Sequence, residues 1–142
     1  MKKMILIGRS ECGKTTLKQV LSGRERTYEK TQAVDYTDRI IDTPGEYIQT
    51  KTLGGAIAIY SYEVDVIAIV VSATEPFTLF APNIVSMASR DVIGIITQID
   101  KENANVPQVS QWLKMAGCKK VFEVSSVTGK GISKLTDYLN NE

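Results

Sequence analysis

Gly8-Arg9-Ser10-Glu11-Cys12-Gly13-Lys14-Thr15 is the stretch that decides the fold. It fits the pattern G-x-x-x-x-G-K-[ST], and its flanks matter as much as its letters. The apolar, β-type run Met4-Ile5-Leu6-Ile7 precedes it, and a helical pattern follows over Lys14–Leu21. A loop that closes a strand and opens a helix aims successive backbone N–H groups at one point. The helix N-terminus adds its positive end, so the segment is built to hold a phosphate. Gly8, Arg9, Ser10, Glu11, Cys12, Gly13, Lys14, Thr15 and Thr16 are the candidate phosphate-binding positions. Lys14 can reach the β- and γ-phosphates of a nucleotide, and the Thr15 hydroxyl can ligate Mg²⁺. With the site empty, Lys14 is expected to stand exposed.

Short apolar runs and longer helical stretches alternate through the rest of the chain. Strands are expected at Arg39–Ile41 (ending at Asp42), Val64–Val71, Val92–Ile96 and Val121–Val124. Helices are expected at Leu53–Tyr62, Asn83–Ala88, Val109–Met115 (closed by Gly117) and Ile132–Leu139. Val64–Val71 is almost continuously apolar and rich in β-branched residues, the pattern of a strand covered on both faces. Such alternation predicts βαβ units: an open, mostly parallel sheet with helices on both faces. No repeat, linker or low-complexity segment interrupts it, so residues 1–142 are expected to form a single nucleotide-binding domain.

A second element supports the first. Ile40-Ile41-Asp42-Thr43-Pro44-Gly45 is a strand ending in Asp followed by a turn, which places a carboxylate at the carboxyl edge of the sheet. Ligands of open α/β sheets bind at that edge. Asp42 is a candidate to hold Mg²⁺ through water, and the Gly45 N–H to meet a γ-phosphate. Alone the segment is an ordinary turn; beside the Gly8–Thr15 loop it becomes the other half of a triphosphate site.

Composition narrows the partners. The chain has 142 residues, 43% hydrophobic and 23% charged, with 10 Gly and 4 Pro. A chain of this size buries about 70% of its unfolded surface and needs no disulfide or metal to hold a core. Lys plus Arg number 17 against 16 Asp plus Glu, a net charge of +1, which argues against broad binding to nucleic acid or an anionic membrane. The absence of His removes His-based triads and the usual His-rich metal sites. Cys12 and Cys118 form no C-x-x-C pair and are expected to be reduced thiols in a cytoplasmic protein. Cys12 would lie beside a bound phosphate, where a helix N-terminus lowers a thiol pKa, although a small packed side chain is the simpler role. Cys118 is expected to be structural. The apolar run at the N-terminus stops at Arg9, short of a signal peptide, and no segment is long and apolar enough to span a membrane.

With these motifs in place, the sequence resembles a Ras-type small GTP-binding domain. It further resembles the EutP/PduV family of ethanolamine- and propanediol-utilisation proteins, from the first strand to the last helix. Lys30-Thr31-Gln32-Ala33-Val34-Asp35-Tyr36, followed by Asp42-Thr43-Pro44-Gly45-Glu46-Tyr47, carries the narrower likeness. The resemblance implies that Thr31 is the switch-I threonine, meeting Mg²⁺ and the γ-phosphate. Only ten residues separate Thr31 from Asp42, so the switch I and second-strand region is expected to be shortened. Glu46 stands where many small GTPases keep a water-orienting Gln. With Lys14 and Thr31 it completes the candidate catalytic set, and slow turnover is expected because no internal arginine finger is evident.

Base recognition departs from the GTPase pattern. Thr97-Gln98-Ile99-Asp100 occupies the slot of Asn/Thr-Lys-x-Asp, where Asp100 can accept two hydrogen bonds from a guanine edge. Gln98 replaces the lysine whose stem covers the purine. Ser125-Ser126-Val127 looks like the Ser-Ala-Lys loop, with the Ser126 N–H in reach of a base oxygen. Thr97, Gln98, Asp100, Ser125 and Ser126 are therefore the candidate base-binding residues, and GTP or ATP the candidate nucleotide.

Three functions remain open on the sequence. The first is a Mg²⁺-dependent NTP-binding switch or slow NTPase of ethanolamine or propanediol utilisation, associated with a bacterial microcompartment shell or pathway enzymes. The second is a phosphotransferase, since the resemblance extends to proteins of the ethanolamine branch credited with ATP-dependent acetate kinase activity; its acceptor would be acetate. The third is a non-catalytic, shell-associated nucleotide-binding module.

Overall fold

The computed structural model describes residues 2–8, 13, 14, 16–21, 40–42 (backbone only), 64–76 and 91–140. The expected helices at 53–62 and 83–88, and the switch I region around Thr31, lie outside the described residues. Five strands are present among those described: β1 (Met4–Gly8), β2 (Ile40–Asp42), β3 (Val66–Ser72), β4 (Asp91–Thr97) and β5 (Lys120–Glu123). They form one sheet in the order β2-β1-β3-β4-β5, and every pairing is parallel. Three helices accompany them: α1 (16–21, with helical backbone also at 14), α2 (Val106–Ala116) and α3 (Ile132–Asn140).

Both faces of the sheet are buried, as the unbroken apolar strands require. Side chains alternate across a strand, so neighbouring residues enter different cores. Ile5, Ile7, Ile67, Ile69, Val71, Val92 and Ile96 pack with Val109, Leu113 and Ala116 of α2. Met4, Leu6, Val66, Ala68, Val70, Ile93 and Ile95 pack on the opposite face with Leu17 and Leu21 of α1 and Ile132, Leu135 and Leu139 of α3. Each fully buried Ile or Leu contributes about 1.5–3 kcal/mol, so the two-sided core is the main stabilising term. Gly94 in β4 lets α2 come close: a Cβ there would lie 2.8 Å from Leu113 Cδ1.

Element ends differ from expectation for local reasons. Helix α2 starts three residues before Val109, because Asn105 caps it through its side chain on the Gln108 N–H (3.3 Å) and proline is tolerated in the first turn. It ends at Gly117, whose positive φ turns the chain; Gly117 and Cys118 return their N–H groups to Lys114 and Leu113. Strand β3 begins at Val66, not Val64, since the Asp65 and Val66 N–H groups bond to the Lys3 carbonyl and Asp65 Oδ2 accepts from the Lys3 N–H. Of the three α2 residues Trp112, Leu113 and Met115, Leu113 is in the core, Trp112 packs against its margin, and Met115 is 51% exposed.

Two predictions follow from the packing. Gly131 enters α3 with φ +79°, and a Cβ there would overlap the Glu123 carbonyl oxygen. Gly131→Ala should therefore cost about 2–4 kcal/mol, read as a thermal midpoint lowered by at least about 5 °C. Burial pushes the Cys118 thiol from 9.0 up to about 12. Iodoacetamide at pH 8 should leave Cys118 unlabelled in the folded protein and label it in urea. The thiol ionises in the unfolded chain first, so its contribution to stability is complete below about pH 9 and is lost as pH rises towards 12.

Candidate functional site

The strand order places the reversal of winding between β1 and β3, and a crevice opens there at the carboxyl edge of such a sheet. The Gly8–Thr15 segment leaves from the end of β1. Gly13 has φ +92°, a left-handed turn suited to glycine, and its carbonyl accepts the Leu17 N–H at 2.9 Å, the first bond of α1. Gly13 thus leads directly into α1. Lys14 corrects an expectation: it is 6% exposed, covered by the protein and not projecting into solvent. The sequence could not show that the end of β4 lies against Gly13. A Cβ at Gly13 would lie 3.6 Å from Thr97 Oγ1 and 3.8 Å from Gln98 Nε2. Thr16 is exposed in the first turn of α1. Arg9, Ser10, Glu11, Cys12, Thr15, Thr31, Gly45 and Glu46 lie outside the described residues.

On the other side of β1, Leu6 pairs with Asp42, so Asp42 ends β2 two residues below Gly8 and at the same edge as the loop. That register suits a carboxylate serving a metal on the phosphates, since Mg²⁺ is usually held by one or two carboxylates plus phosphate oxygens and not by an all-protein cage. No cluster of three or more acidic or thiol ligands occurs among the described residues.

The candidate base-binding residues come together. Thr97 ends β4, almost fully buried, and its carbonyl accepts the Ala73 N–H at 2.8 Å. Asp100 is exposed in the following turn, yet Oδ1 is fixed by the hydroxyl of fully buried Ser125 at 2.9 Å. A hydroxyl donating to a carboxylate is a charge-assisted bond, and it orients Asp100 while leaving the second oxygen open. Ser125 is itself held by a closed loop. Its N–H donates to the Lys130 carbonyl (2.9 Å), its carbonyl accepts from Gly129 (2.8 Å), and its Oγ accepts the Thr128 N–H (3.2 Å). Ser126 follows, half-buried, and Val127 at the loop tip is 84% exposed.

Gln98 is fixed both by its backbone and by its side chain. Its backbone has φ +59°, the one positive φ outside glycine among the described residues. Such a conformation costs about 1–2 kcal/mol for an L-residue and persists where surrounding contacts dictate it. Its Oε1 accepts the Ser72 hydroxyl at 2.6 Å. Ser72 was not singled out by sequence reasoning. The available signal was a polar residue ending the apolar run of β3, level in register with Thr97.

Comparisons with known proteins agree with this architecture. A crystal structure of a mutation variant of SsGBP superposes on the whole chain with a TM-score of 0.58 at 18% identity; the chain spans 58% of that protein's length. This likeness concerns the fold alone: an α/β architecture on a five-stranded parallel sheet. Among curated proteins, the propanediol utilization protein PduV of Citrobacter freundii is 38% identical over 141 residues, covering 99% of this chain and 94% of that protein. The probable acetate kinases EutP of Escherichia coli K12 and Salmonella typhimurium are 31% and 30% identical, each covering 98% of this chain and 89% of the relative. Residues 1–141 match the family described as PduV-EutP, ethanolamine utilisation and propanediol utilisation. A phosphate-type loop at the switch point of a parallel sheet, matched over nearly the full chain, thus belongs to a member of the PduV-EutP family.

Proposed function

We propose that this chain is a Mg²⁺-dependent nucleoside-triphosphate-binding protein with slow, GTPase-like turnover, serving propanediol or ethanolamine utilisation at a bacterial microcompartment. The observation that carries the nucleotide reading is the pairing of exposed Asp100 with buried Ser125, on the same sheet edge as Gly13 and Lys14. One carboxylate oxygen is anchored and the other open, so Asp100 presents a fixed double acceptor to the two adjacent N–H donors of guanine. Adenine offers no such pair. The greater identity to the propanediol protein, 38% against 31% and 30%, favours the propanediol pathway.

In this mechanism Gly8 to Gly13 wrap the phosphates with backbone N–H groups, and Lys14 neutralises β- and γ-phosphate charge from a covered position. Thr15, Thr31 and Asp42 would hold Mg²⁺, which supplies charge neutralisation on the phosphate oxygens. The Gly45 N–H meets the γ-phosphate. Glu46 receives a proton from attacking water but repels the γ-phosphate, consistent with slow turnover.

The names of the 31% and 30% relatives favour a second reading, ATP-dependent phosphoryl transfer to acetate. The same loop would serve it, because phosphoryl transfer depends on positioning and charge neutralisation more than on particular side chains.

Purified protein titrated with GTP and ATP, in Mg²⁺ and in EDTA, followed by product analysis with and without acetate, separates these functions. The first predicts preference for GTP, weaker binding in EDTA and release of inorganic phosphate. Acetyl phosphate from ATP would establish the second in its place; binding with no product would leave a non-catalytic module. Because Lys14 is buried, Lys14→Met, which keeps the stem volume, is the suitable variant, and triphosphate affinity should fall more than about 10-fold. Asp100→Asn should lower GTP affinity by about 30- to 1,000-fold, raise that for xanthosine triphosphate and leave ATP nearly unchanged. Equal ATP and GTP affinity, untouched by Asp100→Asn, would refute the guanine assignment.

A further inference from the structure

Ser72 closes β3 at the crevice and is buried, and its hydroxyl is fully committed. Its Oγ lies 2.6 Å from Gln98 Oε1, 2.8 Å from Thr74 Oγ1 and 3.2 Å from the Thr74 N–H. A serine hydroxyl has one proton and two lone pairs. The proton goes to the Gln98 carbonyl oxygen, so the Thr74 hydroxyl must be the donor in the second contact, and the Thr74 N–H fills the remaining lone pair. Ser72 thus ties down the carbonyl end of Gln98, and the NH₂ end is left on the other side of the amide.

That NH₂ end lies beside Gly13: a Cβ added there would be 3.8 Å from Nε2. The left-handed backbone of Gln98 and the parallel register Ser72↔Thr97 hold the side chain between the ends of β3 and β4 and the loop. We propose that Ser72 is a positioning residue for the nucleotide site: through the carbonyl of Gln98 it holds the amide against the Gly13 turn, where the helix opens toward a phosphate. The tie is neutral and directional. It stands where the resemblance leads one to expect a lysine, whose ammonium needs no such orientation. The inference rests on the nucleotide-binding proposal above and adds to it a residue on β3, outside every motif read from the sequence.

Isothermal titration of the full chain with GTP and with ATP, in Mg²⁺, tests it by a double-mutant cycle. Ser72→Ala should weaken both nucleotides by about 3- to 10-fold, the size of one net hydrogen bond. The GTP-to-ATP ratio should stay constant, because Asp100 is untouched. Gln98→Ala should produce a loss of similar size, and the double variant should bind no more weakly than Gln98→Ala alone. Ser72→Thr, which retains the hydroxyl and suits a strand, should restore affinity. Thermal unfolding of the unliganded variants supplies the control, since a merely structural Ser72 would lower the midpoint without this coupling. If the wild type binds nucleotide but Ser72→Ala binds equally well, or the two losses multiply, Ser72 does not act through Gln98. If the wild type binds neither nucleotide, the nucleotide proposal itself fails, and that result is distinct from the first.

Discussion

The parallel register of the three central strands is the constraint on which everything at the carboxyl edge depends. Backbone pairing of β1 with β3 sets Gly8 beside Val70, and pairing of β3 with β4 sets Ser72 beside Thr97. A slip of one residue would exchange the two buried faces of every strand, taking Ile67 and Ile69 away from α2 and Ala68 and Val70 away from α1 and α3. Because both faces are packed, no such slip is tolerated. The chemistry-bearing residues beyond the strand ends inherit that precision without large buried areas of their own.

Around this edge the polar groups are satisfied in short, closed circuits. Ser125 is bonded through its N–H, its carbonyl and its hydroxyl, and it passes that order to Asp100. Ser72 is bonded to Thr74 and passes its order to Gln98. In each case a buried hydroxyl fixes a longer, more mobile side chain near the crevice. Such preorganisation lowers the entropy lost when a ligand is bound. Under the proposed function the two circuits would serve different parts of a nucleotide: one a carboxylate for the base edge, the other an amide beside Gly13.

At the opposite, amino edge of the strands, the structure is closed by ordinary means. The Lys2 N–H donates to the Leu139 carbonyl at 2.7 Å, tying the start of β1 to the end of α3. The Lys2 and Lys120 ammonium groups lie 4.4 and 5.3 Å from the centre of the Tyr138 ring, which also meets Phe122 at 5.4 Å. The exposed Lys119–Asp91 pair, 3.4 Å apart, adds little in water. Stability therefore resides in the two-sided apolar core, and the carboxyl edge is free to carry polar residues.

The sequence by itself determined the fold class, the positions of the central strands to within two residues, and the helix-opening loop. Those features rest on local periodicity and on glycine and lysine at fixed spacing, which are properties of short stretches. It also grouped Thr97, Gln98, Asp100 and Ser125, which the Ras-type resemblance brings together and which the fold places side by side. Three things were decided only by tertiary structure. The burial of Lys14 and the approach of the end of β4 to Gly13 are long-range features that no local pattern contains. The start of α2 was set by an Asn105 cap and an early proline, weaker signals than the apolar spacing from Val109 onward. The contact of Ser72 with Gln98 was invisible because a single serine after an apolar run is unremarkable until β3 and β4 pair. Contacts between residues 26 positions apart, such as Ser72 and Gln98, exist only once the sheet has fixed its register.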